Sequence, residues 1–186
     1  MDALTCLLTL RAVRHYREIP IPDTVLHDIL EAGRWCGSSR NSQPWQFVVI
    51  RDRATLQQLA RLGSYAAHVA GASLAIALVM EGEGRGASFD AGRVAQNLML
   101  AAHAHGVGSC IASISPEENE RAALRLLEVP EGYSLRIVIA FGYPAPRAQD
   151  RTIAGQPRER VLVMIGRKPR SELVHYERFG QRSPPA

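Results

Sequence analysis

Lysine is nearly missing from this 186-residue chain: among 22 basic residues, Lys168 is the one that is not arginine. Cysteine is scarce too. Cys6, Cys36 and Cys110 lie far apart, form no Cys-x-x-Cys pair and leave an odd count. That excludes a disulfide framework and points to reduced thiols in the cytoplasm. The longest apolar stretch, ASLAIALVM, falls well short of the roughly 20 residues a membrane-spanning helix needs. No charged, apolar and small-residue succession of a secretory leader opens the chain. Aromatic residues make up 6% and do not interleave with the basic ones, which argues against a single-stranded nucleic-acid surface. Neither His-Glu-x-x-His nor a Cys/His cluster occurs, and His103 and His105, two apart on an expected helix, point to different faces. There is no Gly-x-Ser-x-Gly nucleophile elbow. Gly82 to Ala87 formally match Gly-x-Gly-x-x-Gly/Ala. However, Glu81 and Glu83 would repel a pyrophosphate, and no acid follows ~20 residues on, so a flexible connection is expected.

The chain is 46% apolar and 22% charged, with 18 acids against 22 bases, the balance of one soluble globular domain. Periodicity predicts a helix from the start to about Val13, an extended Arg17–Asp23, and an amphipathic helix over 23–35. A strand over 46–51 and a helix over 53–62 follow. Residues 73–80 form a near-continuous apolar run, as in a strand covered on both faces. A long helix is expected from Phe89 to His105, with Gly106 beyond it as a cap, and then a strand over 107–114. Ser115-Pro116-Glu117-Glu118 has capping-box spacing and opens a helix to Leu127. A last strand covers 135–144. Strands interleaved with helices mean an α/β or α+β domain around a central sheet. After Pro144 the chain turns polar, yet RKPRSELVHYERFG regains apolar residues, as a tail that docks on its own domain or on a second subunit does. The expected division is a core, 1–144, and an extension, 145–186.

Two groups of residues stand out chemically. Arg11, Arg14 and Arg17 would share nearly one side of a helix, and Arg167-Lys168 adds charge in the tail. Such groups, with backbone N–H help, suffice for a phosphorylated small molecule, and equally suit a solvated surface. The loop Ser38-Ser39-Arg40-Asn41-Ser42-Gln43 closes on Pro44-Trp45, with Trp45 a core anchor and the polar half either a turn or a contact surface.

Four segments, LRAVRHYREIPIPD, GSSRNSQPWQFVV, FDAGRVAQNLMLAAHAHGVGSCIAS and GRKPRSELVHYERFG, together resemble the nitroreductase family of FMN-dependent oxidoreductases. The resemblance spans nearly the whole chain, in order. It implies an α+β fold with a central mixed sheet flanked by helices, and a homodimer whose C-terminal extensions wrap the partner. It also implies FMN at the dimer interface and NAD(P)H as a transient donor in a ping-pong reaction with a small-molecule acceptor such as a nitroaromatic or quinone, without nucleic acid or membrane. Carried over, Arg11, Ala12 and Arg14 would lie at the FMN phosphate and near the flavin N1/O2 side. Ser38, Ser39 and Asn41 would reach the partner's FMN. Ile111, Ala112 and Ser113 would run along the isoalloxazine edge, and Arg167 and Lys168 would clamp the phosphate. Ala12 stands where the family usually has Ser, which leaves the phosphate more to arginine and backbone. No catalytic side chain is implied, because the flavin carries the reaction. Tyr65 and Phe89 are conceivable pocket aromatics. The alternatives are a flavin-dependent oxidase or dehydrogenase of a specialised metabolite, and a flavin-binding protein without turnover.

Overall fold

The computed structural model describes residues 1–82, 84–146 and 166–182. The chain divides into two units, Met1–Asp150 and Arg151–Ala186.

In the first unit the elements run α1 (Ala3–Thr9), α2 (Asp23–Arg34), β1 (Trp45–Ile50), α3 (Arg53–Leu59), β2 (Leu74–Glu81), α4 (Arg85–Ala104), β3 (Gly108–Ala112), α5 (Glu117–Leu126) and β4 (Tyr133–Gly142), with 3-10 turns at Ser39–Asn41 and Ala67–Gly71. The strands form one sheet in the order β1-β2-β4-β3, and each neighbouring pair is antiparallel. Among the described residues, parallel pairing enters at one isolated bridge, Ala12–Ser109. The α+β class with helices on both faces of a sheet therefore stands, and its mixed character is confined to that bridge.

β2 explains the layering. Leu74, Ile76, Leu78 and Met80 point to one face and join α2 and α4 in a core with Ile29, Val94 and Leu98. Ala75, Ala77 and Val79 point to the other and meet Leu56, Leu59, Val69 and Ala123. Large side chains thus face the long helix, and small ones let α3, the Ala67–Gly71 turn and α5 approach. Burying each large side chain contributes about 1.5–3 kcal/mol. β2 and β3 flank β4 on opposite sides, so the chain must travel back along the sheet between them. The 20 residues of α4 do this, at ~1.5 Å each. Gly106 ends that return at φ +71°, a left-handed position that glycine adopts without strain.

Three sequence expectations shift. Helix α1 stops at Thr9 rather than near Val13, because residues 12–17 leave to pair with the sheet: Val13 N–H donates to Ser109 O (2.9 Å), Arg17 N–H to Tyr143 O (2.8 Å), and Ala145 N–H to His15 O (2.9 Å). Helix α4 begins at Arg85, not Phe89, so the expected flexible connection is partly its first turn, where Ser88 N–H reaches Gly84 O at 3.2 Å. Pro116 sits at the cap of α5 with no side-chain cap bond. The Glu120 carboxylate of that helix instead accepts the Leu135 N–H at 3.0 Å. No helix among the described residues is long and apolar enough to cross a membrane.

Within the second unit, α6 (Arg170–Leu173) leads into a closed loop. His175 stacks on Phe179 with ring centroids 4.1 Å apart, its Nδ1 accepts the Gly180 N–H at 2.6 Å, and Tyr176 N–H donates to Gln181 O at 2.8 Å. Arg167 and Lys168 precede this helix and are exposed.

Candidate functional site

β3 is an edge strand, and its outer side is covered only in part. The N-terminal segment lies against its start so closely that a Cβ on Gly108 would sit 2.7 Å from Val13 Cβ, and one on Gly142 the same distance from Tyr16 Cδ1. The Tyr16 hydroxyl donates to the Val13 carbonyl, curling the segment onto the sheet. Burial drives the Tyr16 phenol far above its ordinary value, so it stays protonated. Ser109 turns its carbonyl outward to Val13. Along an antiparallel strand the outward main-chain groups alternate, so Ile111, two residues on, also directs its N–H and C=O away from β4. Its side chain is 40% exposed.

At that open edge lies a cavity of about 860 Å³ lined by Arg14, His15, Tyr16, Ser64, Tyr65, His68 and Ile111, among others. That is the size of a small-molecule site. The described lining holds no carboxylate, so its fixed charge is the Arg14 guanidinium. His68 is 9% exposed, and its Nε2 lies 3.4 Å from the Cys110 carbonyl. Burial first, then Arg14 and His15, hold its imidazole below the ordinary value. Burial pushes the Cys110 thiol up, against the pull of Arg14, so the thiol is neutral and inert near pH 7.

Of the residues singled out in the sequence, the structure brings Arg14 and Ile111 together here. Arg11 does not join them. On an extended backbone, residues three apart face opposite ways, and Arg11 turns back to donate to the carbonyls of Leu8 (2.8 Å) and Leu10 at the end of α1. The shared side expected for a helix is therefore absent. Ala12 is exposed at its bridge. Ala112 is 1% exposed with its methyl in the core, and by the same alternation its main-chain groups face β4. Ser113 is exposed just beyond β3, its carbonyl oxygen close enough that a Cβ on Gly63 would lie 2.3 Å away.

No residue of the Ser38–Gln43 loop lines this cavity. Arg40, Asn41 and Gln43 have φ of 53°, 57° and 47°, each left-handed and costing about 1–3 kcal/mol at a non-glycine residue. Ser38 Oγ holds the turn by accepting the Gln43 N–H at 2.9 Å, and Trp45 anchors it at 6% exposure. Ser39 and Asn41 are left exposed. Beside the loop's start, a second cavity of about 670 Å³ holds Trp35, Phe89 and Arg93 between α2 and α4. Arg34 lies 5.1 Å over the Trp35 ring and Arg93 5.6 Å over Phe89. Tyr65 and Phe89 thus both line cavities, but different ones. His15 and His68 were missed; His68, a lone histidine in an alanine-rich stretch, gives no signal until the 3-10 turn brings it to β3.

The nitroreductase family model matches residues 9–68 and 60–143. The chain belongs to the nitroreductase family. Its members form a family of oxidoreductases, and the relatives agree. A Methanothermobacter thermautotrophicus protein provisionally named an NADH dehydrogenase/NAD(P)H nitroreductase is 30% identical over 82% of this chain and 83% of its own. An Archaeoglobus fulgidus protein of the same name is 31% identical over 77% and 86%. Among solved structures, a Bacteroides thetaiotaomicron protein, also so named, superposes with a TM-score of 0.80 at 27% identity, covering 95% of this chain and 98% of that one. An FMN-dependent nitroreductase from Clostridium difficile gives 0.73 at 25% identity over 77% and 88%. For this nitroreductase-family chain the cavity chemistry fits a flavin nucleotide: a cation, an outward backbone donor on a rigid strand, and apolar and aromatic walls.

Proposed function

We propose that the protein is an FMN-dependent NAD(P)H oxidoreductase, working as a homodimer and reducing nitroaromatics, quinones or similar acceptors. The observation that carries this reading is the meeting of Arg14 and the outward Ile111 backbone at one open cavity. When bound, FMN supplies reversible two-electron chemistry between a nicotinamide and an acceptor. Arg14 would hold a fixed positive charge beside the site without giving up a proton, a preorganised electrostatic role. The Ile111 N–H would orient the planar ring by a hydrogen bond from a strand that cannot move independently. Tyr65 and the Ile111 side chain would exclude water from its face. Ala12 would add a backbone contact at the phosphate, whereas Arg11 would have to release the carbonyls of Leu8 and Leu10 to join it. Ser38, Ser39 and Asn41 would meet the cofactor of the partner subunit, which gives the strained, outward-facing loop a purpose. One pocket serving donor and acceptor in turn makes the kinetics ping-pong.

Purified protein tests this directly. A yellow dimer by light scattering, with an absorbance band that NADH or NADPH bleaches and a quinone restores, is the expected result. A colourless monomer that takes up no added FMN would overturn it. Colour that neither nicotinamide bleaches would turn the assignment toward an oxidase or a flavin carrier.

A further inference from the structure

Among the described residues, His68 is the one buried titratable group facing the cavity that the proposed reaction leaves without a task. It sits on the Ala67–Gly71 turn with its Nε2 3.4 Å from the Cys110 carbonyl on β3, a contact that, with the backbone of Tyr65, favours the charged ring. A neutral imidazole carries a single N–H, whereas an imidazolium carries two. These main-chain contacts therefore favour the charged ring. Against it stand burial first and then the Arg14 guanidinium. Arg14 and His15 approach from the N-terminal segment. On α3, Arg53 donates to the carbonyls of Ala70 and Ala72 at the far end of the same turn, at 3.1 and 2.9 Å. Cys110 and Tyr16 are neutral, and no carboxylate lines the cavity among the described residues. His68 is therefore held neutral by burial first and by Arg14 beside it, while its main-chain contacts favour protonation. A negative charge beside Arg14 tips that balance.

We propose that His68 is the proton acceptor of this cavity, neutral in the resting protein and protonated from solvent when the site gains negative charge on reduction. This rests on the FMN reading. NADH delivers two electrons and one proton together, which leaves the cavity one negative charge richer. The imidazole lone pair then takes a proton from water, and no electron passes through the ring. By linkage, the group protonates because its proton affinity differs between the two charge states.

The holoprotein is reduced anaerobically with NADH in weak buffer containing a pH indicator. The wild type should take up about one proton per flavin reduced, and His68→Gln about none. Nitrogen-15 NMR of the wild type supplies a reading that does not depend on the variant's folding. The His68 ring should pass from one protonated nitrogen to two on reduction. Equal uptake by both proteins, or a His68 ring that keeps one bare nitrogen, overturns the proposal while leaving the flavin enzyme intact. A protein that binds no FMN, or FMN that no nicotinamide bleaches, overturns the functional reading and this inference with it.

Discussion

Gly108→Ala isolates the contact on which the site's position depends. The new methyl would meet three Val13 atoms at 2.7, 2.8 and 2.9 Å, all inside the distance that real Cβ atoms keep. Gly108 is not left-handed, so the cost is steric. Overpacking of this kind costs about 1–3 kcal/mol, and the exposed N-terminal segment should yield before β3, which is bonded along its length to β4. Arg14 moves with that segment, so FMN affinity should fall together with stability, by roughly tenfold for each 1.4 kcal/mol the displacement takes from binding. Gly106→Ala is the control. Gly106 has φ +71°, and a methyl added there would meet nothing within 4 Å, so alanine costs about 1–2 kcal/mol of backbone strain without touching the segment. Thermal unfolding gives the stability loss of each variant, and flavin fluorescence titration of the apoprotein gives its affinity. Gly108→Ala should lose affinity that Gly106→Ala keeps, and Val13→Ala should partly restore it by removing two of the three clashing atoms. Equal affinity in the two glycine variants at comparable stability would refute the argument that this contact places Arg14.

Ser39→Trp alters an exposed loop residue and should leave a folded dimer with lower FMN occupancy; a fully yellow, active variant would reduce the loop to a turn. Arg14→Met removes the cavity's fixed cation and should weaken FMN binding by tenfold or more with little change in melting temperature, as read by titration and calorimetry. Burial first, then Arg11, depress His103, and burial depresses His68, each from an ordinary value of 6.5. The unfolded chain therefore binds protons that the folded one does not. Stability should hold above about pH 6.5 and fall as pH drops toward the depressed values, and His103→Gln should flatten the pH dependence of the urea midpoint.

The layers were legible because β2 is apolar at every position but its last, and α2, α4 and α5 carry apolar stripes. Trp45 reads as core and is core. The site was legible only in part. Local periodicity carried α1 too far, since nothing near Leu10 shows that residues 12–17 will pair with Ser109 and Tyr143. That long-range pairing overrides helix propensity, and it separates Arg11 from Arg14. The roles of His15 and His68 depend likewise on partners distant in sequence. The positive φ values at Arg40, Asn41 and Gln43 were beyond reach, because only asparagine among them tolerates that conformation readily. The expectations for 147–165 fall outside the described residues.

The bridge from Ala12 to Ser109 also sets an order of events. A ribosome delivers Arg14 before the strand that seats it, which emerges almost a hundred residues later, on the order of ten seconds afterwards at ordinary elongation rates. Throughout that interval the arginine-bearing segment has no sheet to join. The Arg14 side of the cavity therefore cannot take shape before β3 and β4 are both made, and a ligand that needs it can be captured only by a chain whose core is already complete.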